Sequence, residues 1–151
     1  VPCSVSHRSK THLPKKNRQL APNWRRSMTF VDTNILLRWL LGDHRELSPR
    51  AERLVQSAGT GTLLITDIVV AEIVYVLRST GHDREQTSEA LLLLERTAAF
   101  RYENKDLILE IIGLLTDLRL DFADCYLLAR ARRDRLGLET FDKALSKAFV
   151  G

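Results

Sequence analysis

Several acidic residues of the sequence stand where predicted strands end or predicted helices begin, and together they could bind a metal ion. Asp32 ends the first apolar run after the basic N-terminal segment, and Asp142 follows the last one. Asp124 lies in the first turn of a helix that is predicted to open at Asp121. In folds with a parallel sheet, ligands bind beyond the carboxyl ends of the strands. The spacing therefore predicts that these carboxylates meet at one site.

Glu72 is the most informative acid, because its neighbours on a predicted helix are apolar. Ile68 and Val69 lie one turn before it, and Tyr75 and Val76 lie one turn after it. Since residues three and four apart share a helix face, we predict that Glu72 points towards the protein rather than into water. A lone inward carboxylate costs free energy unless it is paired or bound to a metal.

Each of these acids except Glu72 also has a structural explanation. Asp32 and Asp142 could cap the helices that follow them, and acids in a first helical turn, such as Asp121 and Asp124, suit the helix dipole. The set as a whole nevertheless favours a site. Two carboxylates about 4 Å apart repel by about 4 kcal/mol at an effective dielectric of roughly 20, and a cation would remove this repulsion. Oxygen ligands without nearby His or Cys suit Mg²⁺ or Mn²⁺ rather than Zn²⁺.

The elements that must position these acids alternate between short apolar runs and helical periods. Strands are predicted at residues 29–31, 63–65, 100–102 and 138–141. Helices are predicted at residues 34–42, 48–55, 67–78, 104–119, 121–135 and 143–149, with a further helix that opens at residue 83. Strands that alternate with helices predict an α/β fold, in which helices flank a short parallel sheet on both faces.

The charge of the chain is divided unevenly between a tail and a body. The 151 residues carry a net charge of +4, yet residues 1–27 hold seven Lys or Arg and no acid. Residues 28–151 hold 16 basic and 19 acidic side chains, so the body is net negative. We expect the first segment to be a disordered or spurious extension, or alternatively a nucleic-acid-binding arm, and the second to be the folded domain.

The cysteines and the apolar runs favour a cytoplasmic protein. Cys3 lies in the basic segment and Cys125 in an apolar helical pattern, which is not the arrangement of a disulfide framework. A reducing compartment is therefore expected. No apolar run approaches the about 18 residues that a membrane span needs.

Four segments of the chain together resemble the motifs of the PIN-domain family, and most closely those of VapC-type toxins of bacterial toxin–antitoxin pairs. The segments are residues 28–38, 66–72, 121–125 and 140–143, which read MTFVDTNILLR, TDIVVAE, DFADC and TFDK. The resemblance runs from Met28 to the C-terminus. It implies a three-layer α/β/α fold, endoribonuclease activity that depends on Mg²⁺ or Mn²⁺, a homodimer, and inhibition by a small antitoxin protein.

Carried over by position, the resemblance assigns roles to individual side chains. Asp32 and Asp124 would bind the principal metal ion, while Glu72 and Asp142 would bind a second ion or act through water. Asp121 matches a further acid that is common in the family. Hydrolysis of an RNA phosphodiester would leave a 5′-phosphate and a 3′-hydroxyl. The residues that match the supporting polar positions of the family are Asn34 and Thr140.

Basic residues near the acids are predicted to contact a polyanionic substrate, because an acidic pocket alone would repel RNA. The candidates are Arg38, Arg130, Arg132 and Arg133. Basic side chains in the last turn of a helix also suit its dipole, so a purely structural role is the alternative for these arginines.

Other functions remain open from the sequence alone. A non-catalytic PIN-like module that acts by binding a protein partner would need no metal, and a non-toxin RNA-processing nuclease would need no antitoxin. A phosphatase of the haloacid-dehalogenase type would require a second Asp at the position of Asn34. A nucleotide-binding loop is disfavoured, because the Gly-Thr-Gly of residues 59–61 precedes a strand instead of following one.

Overall fold

The structure is a computed structural model that describes residues 28–151; residues 1–27, where an extension is expected, lie outside the described residues. In chain order, the strands are β1 (Thr29–Phe30), β2 (Leu63–Ile65) and β3 (Phe100–Tyr102). The helices are α1 (Thr33–Leu41), α2 (Leu47–Ser57), α3 (Asp67–Ser79), α4 (Arg84–Arg96), α5 (Lys105–Asp117), α6 (Phe122–Asp134) and α7 (Lys143–Val150). None of these helices is long and apolar enough to cross a membrane.

The three strands form one parallel sheet in the order β1-β2-β3. Thr29 is paired with Leu63, and Leu63 is paired with Phe100, so the strands start level with one another. Helices connect each strand to the next, as a parallel sheet requires. The predicted α/β architecture, a short parallel sheet flanked by helices in three layers, is confirmed. All three strands end at the same edge of the sheet, which we call the carboxyl edge.

The core lies between the sheet and the inner faces of the helices. Leu63 and Ile65 of β2 are buried, as are Phe100 and Tyr102 of β3. In helix α5, apolar residues recur at the helical spacing and are buried, and these residues are Leu107, Ile108, Ile111, Ile112 and Leu115. Hydrophobic periodicity therefore identified this helix and its inner face correctly.

Helix α1 begins one residue earlier than the sequence predicts. Its cap is Asp32, because a carboxylate oxygen of Asp32 accepts a hydrogen bond of 3.0 Å from the backbone N–H of Ile35. Asp32 therefore does cap the helix that follows it. Capping uses one carboxylate oxygen and leaves the other for a ligand.

The predicted strand at residues 138–141 does not form, which corrects the sequence prediction. Helix α6 is followed by Arg135, whose positive φ of 55° turns the chain, and the segment beyond it is irregular. Phe141 is fully exposed, and Phe30 on the edge strand is 70% exposed. Because β1 has only two residues, it offers few ladder hydrogen bonds to a further strand. Asp142 is therefore not carried to the carboxyl edge by a strand.

The substitution Ile108→Ala tests the core. Ile108 is fully buried, so its truncation leaves a cavity and should lower the free energy of unfolding by about 2–5 kcal/mol. The control is Leu93→Ala on α4, where the side chain is 49% exposed and the loss should stay under about 1 kcal/mol. Urea denaturation followed by circular dichroism measures both. Equal losses in the two variants would contradict this packing.

Candidate active site

The start of α1 and the middle of α3 are joined by a hydrogen bond at the candidate site. Asp32 is exposed where β1 ends, and Thr33 behind it is buried. The hydroxyl of Thr33 donates a hydrogen bond of 2.5 Å to Oε2 of Glu72. Because Asp32 and Thr33 are neighbours in the chain, this bond brings the acid of the first motif and the acid of the second motif to the same part of the carboxyl edge.

The prediction that Glu72 points into the protein is wrong. Glu72 is exposed, and two of the apolar neighbours used to orient it, Ile68 and Tyr75, are themselves 76% and 73% exposed. Helix α3 is apolar on almost every side, so apolar neighbours do not identify its inner face. The buried face of this helix consists of Val70, Ile73, Val74 and Leu77.

Asp121 and Asp124 lie at the start of α6, as the sequence predicts. Asp121 is the exposed N-cap residue, and its side chain makes no capping hydrogen bond. Asp124 is half-buried in the first turn. Beside it, burial raises the pKa of the Cys125 thiol to about 11; Arg84 lowers this pKa, and the carboxylates of Asp124 and Asp121 add to the increase. Cys125 therefore stays a neutral, buried thiol.

Arg84 fixes the loop that leads into α6, a role that the sequence analysis missed. Its guanidinium donates hydrogen bonds of 2.5 Å to the carbonyl of Leu120 and 3.4 Å to the carbonyl of Leu118. Arg84 is the first residue of α4, where the helix dipole disfavours a cation. A basic residue at the N-terminus of a helix therefore indicates that its side chain makes a contact outside that helix. Through this loop, Arg84 holds the start of the helix that carries Asp124.

Asp142 and Thr140 contact each other but lie apart from the other acids. The backbone N–H of Asp142 donates to the Thr140 hydroxyl at 3.0 Å, and a carboxylate oxygen of Asp142 accepts a 2.8 Å hydrogen bond from the Leu145 N–H. Both residues line an open cleft of about 560 Å³ against α7, which none of the other candidate acids lines. The capping explanation thus describes Asp142 in this structure, and its place in the acidic cluster stays a prediction.

The candidate ligands suit a divalent cation by their chemistry, but they are not gathered around one point. All of them are carboxylates, and oxygen donors are what Mg²⁺ and Mn²⁺ prefer. Among residues 28–151, no three acidic, histidine or cysteine side chains lie close enough to hold a metal ion. Carboxylates repel each other unless a cation lies between them. A metal ion bound directly by Asp32, Glu72 and Asp124 together would therefore require these three side chains to move closer to one another.

The four arginines predicted to contact RNA have different surroundings. Arg38 forms an ion pair of 2.6 Å with Asp43. Arg132 donates to the carbonyl of Ala148 and so attaches α6 to α7. Arg130 and Arg133 instead line an open cleft of about 550 Å³ beside the start of α5. These last two arginines are therefore better placed for a polyanion than Arg132.

The cleft arginines are held by exposed ion pairs. Arg130 lies 2.8 Å from Asp134, whose hydrogen bond raises the pKa of Arg130 above its ordinary value. Arg133 lies 3.8 Å from Glu110. Exposed ion pairs of this kind contribute about 0–1 kcal/mol, so a phosphate can replace the carboxylate partner at little cost.

Asp67 connects three helices at the carboxyl edge, which the sequence analysis did not foresee. Its Oδ2 accepts hydrogen bonds from the Asn104 amide at 2.8 Å and from the Tyr126 hydroxyl at 3.2 Å. Its Oδ1 is buried and has no hydrogen-bond partner among the described residues. Local sequence patterns assign Asp67 no role beyond the first turn of α3, because its partners come from α5 and α6, far along the chain.

The sequence profile of the PIN domain matches residues 29–149, so the chain belongs to the PIN-domain family, whose members are generally nucleases. Among curated proteins, no sequence is similar enough to count as a relative. A chain of a solved toxin–antitoxin complex from Klebsiella pneumoniae is 23% identical, over 78% of this chain and 90% of that chain, with a TM-score of 0.35. The two structures superpose too loosely for this likeness to bear on function.

A double-mutant cycle tests the contact between Thr33 and Glu72. Thr33→Val removes the donor at nearly constant volume, and Glu72→Ala removes the acceptor. We expect a coupling free energy of about 0.5–1.5 kcal/mol from urea denaturation, because the hydrogen bond is partly exposed to water. In the control cycle, Glu89→Ala on the exposed surface of α4 replaces Glu72→Ala, and the effects should add within about 0.5 kcal/mol. Additivity in both cycles would contradict the contact.

Proposed function

We propose that this PIN-domain protein is an endoribonuclease that uses Mg²⁺ or Mn²⁺, and that it is the toxin of a toxin–antitoxin pair. The observation that carries the proposal is the hydrogen bond between Thr33 and Glu72, which joins the first two motifs. It engages one carboxylate oxygen of Glu72. The other oxygen makes no hydrogen bond with residues 28–151, so it is free to bind a ligand.

In this proposal, the candidate acids have different roles in phosphodiester hydrolysis. Asp32 and Asp124 would hold the principal cation, and Asp142 would join them if residues 138–141 moved towards β1. A bound cation would polarise the phosphodiester and lower the pKa of a water molecule. Glu72 would orient the attacking water with its free oxygen. The resulting ends would be a 5′-phosphate and a 3′-hydroxyl.

The antitoxin in this proposal is supported by the motifs and by the exposed apolar residues of α3. The four motif segments resemble those of VapC-type toxins most closely. On α3, Ile68 and Tyr75 are exposed one turn before and one turn after Glu72, and covering these apolar side chains with a protein partner would remove them from water. A small antitoxin that covered this face would also cover Glu72. A homodimer and a cytoplasmic location complete the proposal.

A non-catalytic PIN-like module is the second candidate function. It is favoured by one observation, namely that the acids of residues 28–151 do not gather into a group able to hold a metal ion. Such a module would bind a protein partner through the same exposed face of α3 and would leave RNA intact. RNA cleavage therefore separates the two candidates.

The substitution Asp32→Asn should abolish RNA cleavage. Asparagine caps a helix as well as aspartate does, so α1 should keep its start while the site loses a charge. The measurement is cleavage of RNA in Mg²⁺ or Mn²⁺, with the new 5′ ends mapped. A chelator should also stop the wild-type reaction.

The matched control is Asp83→Asn, which makes the same change at the cap of α4 and should cut RNA like the wild type. Undiminished cleavage by Asp32→Asn, or a wild-type activity that persists in chelator, would refute the proposed mechanism.

The cleft arginines should contribute to RNA affinity by binding phosphates. Arg133→Glu should weaken binding and reduce the slope of log K against log salt by about 0.7 for each phosphate of a single strand that the arginine neutralises. The control is Arg96→Glu, in the last turn of α4, because that helix leads into β3 and so ends at the opposite edge of the sheet. Binding is measured in chelator at several salt concentrations. Identical slopes in the two variants would exclude the cleft as an RNA-binding surface.

A further inference from the structure

A cavity of about 310 Å³ lies between α1 and α2 and opens beside Asp32. Asp32 and Asn34 are among the residues that line it, so the cavity adjoins the candidate active site. Four of the eight lining residues belong to the first motif, residues 28–38, and the other four come from α2, outside the four motifs. Its lining combines the carboxylate of Asp32 with aliphatic side chains and with two arginines, Arg38 and Arg50.

The aliphatic side chains of the lining, which we call the floor, are partly open to water. Ile35 contributes from α1, while Leu47 and Leu54 contribute from α2 with 41% and 37% of their surface exposed. Residues 47, 51 and 54 share one face of α2, and the small side chain of Ala51 leaves a depression between the two leucines. Covering this aliphatic surface with an apolar ligand face is favourable, because it removes apolar area from water.

The two arginines of the lining differ in whether a carboxylate already pairs with them. Arg38 is held by Asp43 at 2.6 Å, so an anion that binds Arg38 must first displace this carboxylate. Arg50 is exposed and makes no ion pair or hydrogen bond with any residue in the described part of the chain. Arg50 is therefore the cation of the lining that an anion can bind without displacing a carboxylate.

We propose that this cavity binds the nucleotide next to the cleaved phosphodiester, with its base on Ile35, Leu47 and Leu54 and its phosphate on Arg50. The inference rests on the proposed ribonuclease function, because the cavity opens at Asp32. A nucleotide combines a base, which has two apolar faces, with a phosphate on the attached sugar. The aliphatic floor and the unpaired cation beside it match that combination.

The size of the cavity favours one nucleotide over a protein segment. A volume of 310 Å³ lies at the lower end of the range for small-molecule sites, which is about 300–1,000 Å³. One turn of α-helix, about 10 Å wide and 5.4 Å long, fills about 420 Å³. A whole helical turn is therefore larger than the cavity, whereas a single nucleotide is of the size that such a site binds.

The phosphate contact is tested by RNA binding without cleavage. A short fluorescent oligoribonucleotide is titrated with the full chain in chelator, and the anisotropy gives Kd. Arg50→Glu should raise Kd about tenfold, since it removes a charged contact and adds repulsion. The matched control is Arg53→Glu, an equal charge change one turn further along α2 and outside the cavity lining, which should leave Kd within about twofold. Equal effects of the two variants would overturn the proposal.

The base contact is tested with Leu54→Ala and with oligoribonucleotides that carry one abasic nucleotide at successive positions. Leu54→Ala should weaken binding of the intact RNA severalfold, and a single abasic position should remove this difference from the wild type. Circular dichroism verifies that the variant folds. If Leu54→Ala binds every RNA like the wild type, the floor does not contact a base and the proposal is overturned in favour of a protein occupant.

The two proposals fail separately in these experiments. Binding in chelator does not depend on hydrolysis, so loss of the Arg50 and Leu54 effects rejects the nucleotide site alone. A wild-type protein that binds RNA with these effects but never cuts it in Mg²⁺ or Mn²⁺ rejects the nuclease proposal alone.

Discussion

Parallel pairing of three very short strands decides where the candidate side chains of this protein lie. Each strand contributes only two or three residues, and all of them end at the carboxyl edge. The residues that come next along the chain, such as Asp32 after β1, Asp67 after β2 and Asn104 after β3, must therefore start their helices at that edge. A ligand site at this edge follows from the topology, whichever reaction it serves.

Strands this short fix the edge with few ladder hydrogen bonds, and polar side chains between helices supply the remaining constraints. The bond from Thr33 to Glu72 ties α1 to α3, and Asp67 ties α3 to α5 and α6. Arg84 anchors the loop before α6 from the start of α4. These contacts join elements that are distant in the chain. They hold the helix starts, which carry most of the candidate acids.

The sequence predicted what depends on local periodicity and missed what depends on partners far away in the chain. The inner face of α5 was clear, because polar and apolar residues alternate with the helical period. Helix α3 is apolar nearly all round, so the orientation of Glu72 could not be deduced. Residues 138–141 have the composition of a strand, but the edge strand β1 has only two residues with which they could pair. The partners of Asp67 come from α5 and α6, which no local pattern reveals.

The brevity of β1 also affects how copies of this protein meet. β1 is an edge strand of the sheet in residues 28–151, and Phe30 is largely exposed on it. An open sheet edge is a template on which other chains can add strands and aggregate, and very short edge strands limit this. Because β1 has only two residues, it offers few backbone hydrogen bonds to a strand of another molecule. The shortness of β1 therefore limits aggregation through this edge of the sheet.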